Sequence, residues 1–110
     1  MDISVVIVSY NVSSFLDQAL ITLKDSAQGL DYEVYVVDNA STDESVSMIR
    51  EKHPLVKIIE NDSNVGFARA NNQALKKVNG RYILLLNPDT VLRRDPLKTM
   101  ISFLDEHPDA

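Results

Sequence analysis

Four short stretches of this chain set carboxylates, amides and hydroxyls directly behind apolar runs. They are Ser9-Tyr10-Asn11, Asp38-Asn39-Ala40-Ser41-Thr42-Asp43, Glu60-Asn61-Asp62 leading into Asn64-Val65-Gly66, and Asn87-Pro88-Asp89-Thr90. Carboxylate and amide oxygens are hard ligands that suit a divalent cation such as Mg²⁺ or Mn²⁺, which in turn grips a diphosphate. The same carboxylates accept hydrogen bonds from a base N–H or from ribose hydroxyls. Turn chemistry alone explains an Asn, Asp or Ser at any one such point. Four polar exits from four apolar runs are the pattern of a single ligand crevice.

Other chemistries lack their residues. The chain has only three glycines, Gly29, Gly66 and Gly80. Neither a G-x-G-x-x-G fingerprint nor a G-x-x-x-x-G-K-[ST] phosphate loop is present. G-x-S-x-G is missing too, which removes the hydrolase elbow. With no cysteine there is no disulfide, no thiolate nucleophile and no Cys-ligated zinc. Acidic residues outnumber basic ones 16 to 11, a net charge of −5 that argues against nucleic acid as a partner. The adjacent basic pairs, Lys76-Lys77 and Arg93-Arg94, read as solvated helix ends or loops. His53 and His107 each precede a proline and read as helix ends rather than as metal ligands or acid–base groups.

The elements that must position the four exits follow from periodicity. Apolar, β-branched runs at Ile3–Val8, Tyr32–Val37, Val56–Ile59 and Tyr82–Leu86 suit strands buried on both faces of a parallel sheet. Between and after them lie four stripes at helical spacing. The first is Phe15, Leu16, Ala19, Leu20 and Leu23, and the second is Val46 and Ile49. The third is Phe67, Ala70, Ala74, Leu75 and Val78, and the fourth is Leu97, Met100, Ile101 and Leu104. Ser41 and Glu44 have the spacing of a capping box, and Asp95-Pro96 places a cap before a first-turn proline. The order βαβαβαβα predicts an α/β, Rossmann-like parallel sheet of about four strands with helices on both faces. In such sheets ligands bind beyond the carboxyl ends of the strands, where the four polar exits stand. A chain of 110 residues suits one domain, and 45% apolar residues supply its core. Its longest apolar runs fall far short of the roughly 20 residues of a membrane span.

Val8-Ser9-Tyr10-Asn11, Val37 to Asp43, Asn64 to Asn72 and Leu84 to Thr90 resemble, in order and in place, the four landmarks of glycosyltransferase family 2. They are most similar to its rhamnosyltransferase-like branch. The resemblance implies a GT-A fold. Residues 1–110 would form one nucleotide-diphospho-sugar-binding domain, the front part of a longer protein. It further implies that Val8, Ser9 and Tyr10 line a base pocket and that Asp38 hydrogen-bonds uracil or thymine. Asn39, Ser41 and Asp43 would shape that loop and start the next helix. Asn64, Gly66 and Asn72 would carry a segment that closes over the nucleotide, and Asp89 would be the last acid of the D-x-D metal motif.

Two departures stand out. Asn87 replaces the first acid of D-x-D, so the metal ligands are Asp89 and an amide, expected to hold Mg²⁺ or Mn²⁺ more weakly. Asn71 stands where the family often has an arginine. The implied reaction transfers a sugar from a UDP- or dTDP-sugar to a glycan or lipid-linked acceptor with inversion. Its general base is expected beyond residue 110, so the chain alone is expected to be inactive.

Three other readings are weighed against this one. A receiver-type signalling module needs an acidic pair after the first strand, where Ser9-Tyr10-Asn11 stands. A sugar nucleotidyltransferase needs a Gly-rich, Arg-bearing loop there. A nucleotide-binding module without catalysis is separated from an enzyme by a turnover assay. The acidic N-terminus MDISVV is unlike a signal peptide, so a cytoplasmic setting is expected, at the inner face of the membrane in a longer protein. The fourth strand is expected at an edge of the sheet that the rest of the family fold covers, which leaves the edge open to self-association.

Overall fold

A computed structural model describes residues 1–90 and 96–107 of the chain. Strands β1 (Ile3–Ser9), β2 (Tyr32–Asp38), β3 (Lys57–Glu60) and β4 (Tyr82–Leu86) alternate with helices α1 (Ser13–Ser26), α2 (Ser45–Lys52), α3 (Phe67–Leu75) and α4 (Pro96–Glu106). All strand pairs are parallel and the spatial order is β3-β2-β1-β4. The chain therefore winds outward from β1 to β3, then crosses back over the sheet through α3 to place β4 on the free side of β1. That reversal makes the ends of β1 and β4 a topological switch point.

Burial follows from strand position. β1 and β2 are interior strands, and nearly every residue in them is buried on both faces. Alternate residues Ile3, Val5 and Ile7 of β1, with Val34 and Val36 of β2, meet Leu16, Leu20 and Leu23 of α1. Met48 and Ile49 of α2 and Leu97 and Ile101 of α4 complete that core. The other face carries Val6, Tyr35 and Val37 under Ala70 and Ala74 of α3. Two alanines let α3 lie close against the sheet. The edge strands β3 and β4 are only half-buried, unlike the double-sided burial expected of all four strands.

Local differences from the expected pattern have identifiable causes. The third strand begins at Lys57 rather than Val56, because Val56 N–H donates to the His53 carbonyl at 3.1 Å in a turn. Phe15, Phe67 and Met100 are exposed despite their place in the apolar stripes, and Leu75 is partly so. The buried centre of α1 is set by Leu16, Ala19, Leu20 and Leu23, and Phe15 lies outside it. The Ser41–Glu44 capping box does not form. Ser41 Oγ donates to Asp38 Oδ1 at 2.6 Å, and Glu44 makes no side-chain cap at the start of α2.

Asp43 does the capping instead. Its Oδ1 accepts from Ser45 N at 3.0 Å and Ser45 Oγ at 2.5 Å, and its Oδ2 accepts from Ser13 N at 3.2 Å. One carboxylate thus serves the N-termini of both α1 and α2, where negative charge is favoured. Burial pushes its pKa up, but the hydrogen bonds from Ser45 and Ser13 outweigh this and hold it below the ordinary carboxylate value. The cap expected at Asp95, and the Arg93-Arg94 pair, lie outside the described residues.

His53 ends α2 as expected, and its Nε2 lies 2.8 Å from Asp17 Oδ1 on α1. At the amino end of the sheet Glu33 is buried. It accepts from Ser4 Oγ at 2.6 Å, Asn79 N at 2.7 Å and Lys57 Nζ at 2.9 Å. Ser4 Oγ in turn accepts from Gly80 N at 2.8 Å, so one network joins all four strands near their starts. Among the described residues no helix is long and apolar enough to cross a membrane.

Candidate functional site

The carboxyl ends of the strands are built side by side by the sheet register. Ser9 pairs with Asp38, Asp38 with Glu60, and Ile7 with Leu86. Asp38 closes an apolar strand and is 3% exposed. A buried carboxylate needs donors, and Ser41 supplies two, its backbone N–H at 2.9 Å to Oδ2 and its hydroxyl to Oδ1. The turn that brings Ser41 back runs through Ala40 at φ 63°, a left-handed conformation that costs a residue with a Cβ about 1–2 kcal/mol. Each Asp38 oxygen keeps a further lone-pair direction for another donor.

The first exit is laced to the second. Asn11, also left-handed at φ 50°, accepts from Thr42 N through its Oδ1 at 2.7 Å. Its own N–H donates to Ser41 Oγ at 3.0 Å. Asn39 N–H donates to the Ser9 carbonyl at 2.9 Å. Ser9 is buried and its hydroxyl has no hydrogen-bond partner, Val8 is half-buried, and Tyr10 is half exposed.

The third exit joins the second through side-chain amides. Asn61 N–H donates to the Asp38 carbonyl at 2.9 Å, and Asn61 Nδ2 donates to Asn39 Oδ1 at 3.0 Å. Asn39 Nδ2 reaches the Gly66 carbonyl at 3.4 Å, and Gly66 N–H donates to Asn64 Oδ1 at 2.9 Å. Gly66 sits at φ 84° with open space where a Cβ would stand. It is required for its backbone angle rather than for close packing. Asn71, on α3, is buried, while Asn72 is exposed beside Arg69, Gln73 and Lys76 on the outer side of that helix.

The fourth exit stands apart. Asn87 and Asp89 are exposed in a turn closed by Thr90 N–H on the Asn87 carbonyl at 3.1 Å, next to the end of β1. No hydrogen bond joins their side chains to the other three exits among the described residues. Nor do any three His, Cys, Asp or Glu side chains there form a metal cluster. One carboxylate and one amide oxygen nevertheless fit a cation whose remaining ligands are phosphate oxygens and water, as Mg²⁺ sites are commonly built. A cavity of about 130 Å³ between Leu20, Leu23, Val34, His53 and Val56 lies at the opposite end of the sheet and is lined mainly by apolar side chains.

Three exits thus form one connected site, with Asp38 at its floor. Asp38, Asn39, Ser41 and Gly66, all expected from the sequence to stand at the strand ends, are joined in this network. Gln73, and the part Asn61 plays in joining the end of β2 to α3, carry no motif that marks them in the sequence.

The sequence profile of Glycosyl transferase family 2 matches residues 4–110. Poly(ribitol-phosphate) β-N-acetylglucosaminyltransferase TarS of Staphylococcus aureus is 30% identical over 97% of this chain, which spans 19% of that protein. An uncharacterized glycosyltransferase of Haemophilus influenzae is 32% identical over 93% of the chain, which spans 42% of it. Residues 1–349 of TarS in complex with UDP superpose with a TM-score of 0.86 at 28% identity, over 98% of this chain and 33% of that one. Mannosyltransferase PcManGT of Pyrobaculum calidifontis, solved with GDP-Man and Mn²⁺, superposes with a TM-score of 0.83 at 30% identity, over 93% of this chain and 32% of that one. The α/β fold expected from the strand and helix order is the fold of these enzymes. With one profile running through all four strands and their polar exits, this chain belongs to glycosyltransferase family 2.

Proposed function

We propose that residues 1–110 form the donor-binding part of a glycosyltransferase that uses a nucleotide-diphospho-sugar, with UDP- or dTDP-sugars favoured. The observation that carries this reading is the buried Asp38 carboxylate, held by Ser41 at the floor of three interlocked strand exits. Its free lone pairs suit the imide N–H of uracil or thymine. Ser9 of β1 pairs with Asp38 and Tyr10 follows it, and the turn Asn64 to Gly66 is tied to the adjacent Asn39 through the Gly66 carbonyl. TarS has been solved with UDP and with UDP-GlcNAc, which supports a uridine donor.

Asp89 and Asn87 are the residues that would hold Mg²⁺ or Mn²⁺; that PcManGT was solved with Mn²⁺ supports a divalent cation here. When bound, such an ion neutralises charge on the departing nucleoside diphosphate. This chain's own residues bind and orient the donor. The acceptor, a glycan or lipid-linked glycan, and the carboxylate base that deprotonates it belong to later parts of a longer protein. Transfer proceeds with inversion on the cytoplasmic side, at the inner face of the membrane.

Calorimetry with UDP and dTDP tests the reading. Asp38→Ala is expected to weaken binding by about 1–3 kcal/mol, the range for losing a buried hydrogen-bond partner. Unchanged affinity in a folded variant would rule out Asp38 as the base-reading group.

A further inference from the structure

Asn61 follows the end of β3 and Gln73 lies within α3, with no motif relating them. Their amides nevertheless form a closed pair. Asn61 Nδ2 donates to Gln73 Oε1 at 2.9 Å, and Gln73 Nε2 donates to Asn61 Oδ1 at 2.8 Å. The same Asn61 Nδ2 reaches Asn39 Oδ1 at 3.0 Å, and Asn39 Nδ2 reaches the Gly66 carbonyl at 3.4 Å. Side chains that follow β2 and β3, with one from α3, therefore tie the turn before α3 to the exit of β2. Val65 of that turn packs onto the core formed by Val6, Tyr35, Val37, Ala70 and Ala74, which holds it down without a directional bond. Among the described residues no other side-chain hydrogen bond ties the turn across the crevice, since Asn64 Oδ1 binds Gly66 N–H within the turn itself.

We infer that Asn61 and Gln73 are positioning residues for the nucleotide. They act through Asn39 to set the distance between the Asp38 floor and the Asn64–Gly66 roof. The inference rests on the proposal that the nucleotide binds between these two. Helix α3 touches the sheet through Ala70 and Ala74, which fix its height above β1 and β2 but offer no directional bond. The amide pair supplies that direction, because two antiparallel N–H···O bonds allow one orientation of the helix end. Gln73 is half-buried and Asn61 likewise, so water competes only partly for these bonds.

The test is a double-variant cycle read by UDP calorimetry, with melting temperature recorded beside it. Gln73→Met keeps the side-chain length and removes both amide bonds, and it is expected to weaken UDP binding about three- to tenfold. Asn61→Leu is expected to weaken it further, because it also frees Asn39. Adding Gln73→Met to Asn61→Leu is expected to cost nothing more, since Gln73 then has no partner left to lose. A purely structural role would lower the melting temperature but leave the affinity of the folded fraction unchanged. That result, or losses that simply add, overturns the inference.

Failure of the underlying reading is seen separately, as absence of UDP binding by the unaltered chain or indifference to Asp38→Ala. In that event amide exchange still decides the matter. Exchange at Val65 and Gly66 is expected to quicken several-fold in Gln73→Met while strand amides of β1 hold. Unchanged exchange at both residues overturns the inference.

Discussion

Asp89 is a lone carboxylate in an exposed turn, with Asn87 as the second protein oxygen on offer. A site with one charge and one amide binds a divalent cation weakly until a diphosphate adds its own oxygens. Metal and nucleotide are therefore expected to bind together, and titration of UDP with and without Mn²⁺ should show tighter binding with the ion. Asp89→Asn is expected to remove most of that gain, while a metal effect that survives in full would exclude Asp89 as the ligand. Two hydrogen-bonded carboxylates, the buried Glu33 and the exposed Asp43, tie the fold to the acid side of the pH scale. Glu33 is pushed up by burial, but the bonds from Ser4, Asn79 and Lys57 more than compensate, and its pKa lies below the ordinary 4.5. Asp43 lies below 3.8 for the analogous reasons. A depressed carboxylate stabilises the fold above its unfolded pKa and loses that contribution as pH falls through the folded value. Melting temperature is thus expected to hold down to about pH 4.5 and to fall below it. Glu33→Gln should flatten that fall; an unchanged acid slope would show that Glu33 is not responsible.

At the scale of elements, the join between β1 and β4 depends on Gly80. A Cβ built there would lie 2.4 Å from the Ser4 nitrogen and 2.6 Å from the Ile3 carbonyl carbon, both backbone atoms that cannot move aside. Gly80→Ala is expected to cost about 1–3 kcal/mol, the usual penalty of overpacking, and to be seen as a lowered urea midpoint. A variant as stable as the parent would mean that β4 can shift along β1. The succession of strands and helices along the chain, the two-sided burial of β1 and β2, and the polar exits are legible in the sequence because each is a run of neighbouring residues, whereas the order in which the strands lie side by side is not. Tyr82–Leu86 was bounded to the residue. Glu33 was not legible as a hub, because one acid inside Tyr32–Val37 gives no sign that Ser4, Lys57 and Asn79 will surround it. The spacing of Ser41 and Glu44 points to a capping box that does not form, because Ser41 and Asp43 are both able to cap. Only the left-handed turn at Ala40 sends Ser41 to Asp38 and leaves α2 to Asp43. Asn61 and Gln73 meet across a turn and a helix, which no local pattern encodes.

For the whole molecule, no strand lies on the outer side of β4 among the described residues, and Ile83 and Leu85 of that strand are about half exposed. The strand Tyr-Ile-Leu-Leu-Leu carries no charge to discourage pairing. Sedimentation of the 110-residue chain is expected to show concentration-dependent association that Leu85→Lys suppresses; a strictly monomeric parent would refute it. Sugar transfer by the same chain is expected to be absent with UDP- or dTDP-sugars and glycan acceptors. Asp43 is committed to two helix ends, and Asp105 to Arg81 and Tyr82. Turnover above a no-protein control would place a base within these residues, with the exposed Asp62 the first to alter. The strand order also bears on how the chain is made. During synthesis β1, β2 and β3 emerge first and can pair in sequence, but β1 finds its second neighbour only when β4 has left the ribosome. Until then its free edge is open to strangers. Closing so long a loop is slow, so folding of this sheet should be timed by the arrival of its last strand rather than by collapse of its first three.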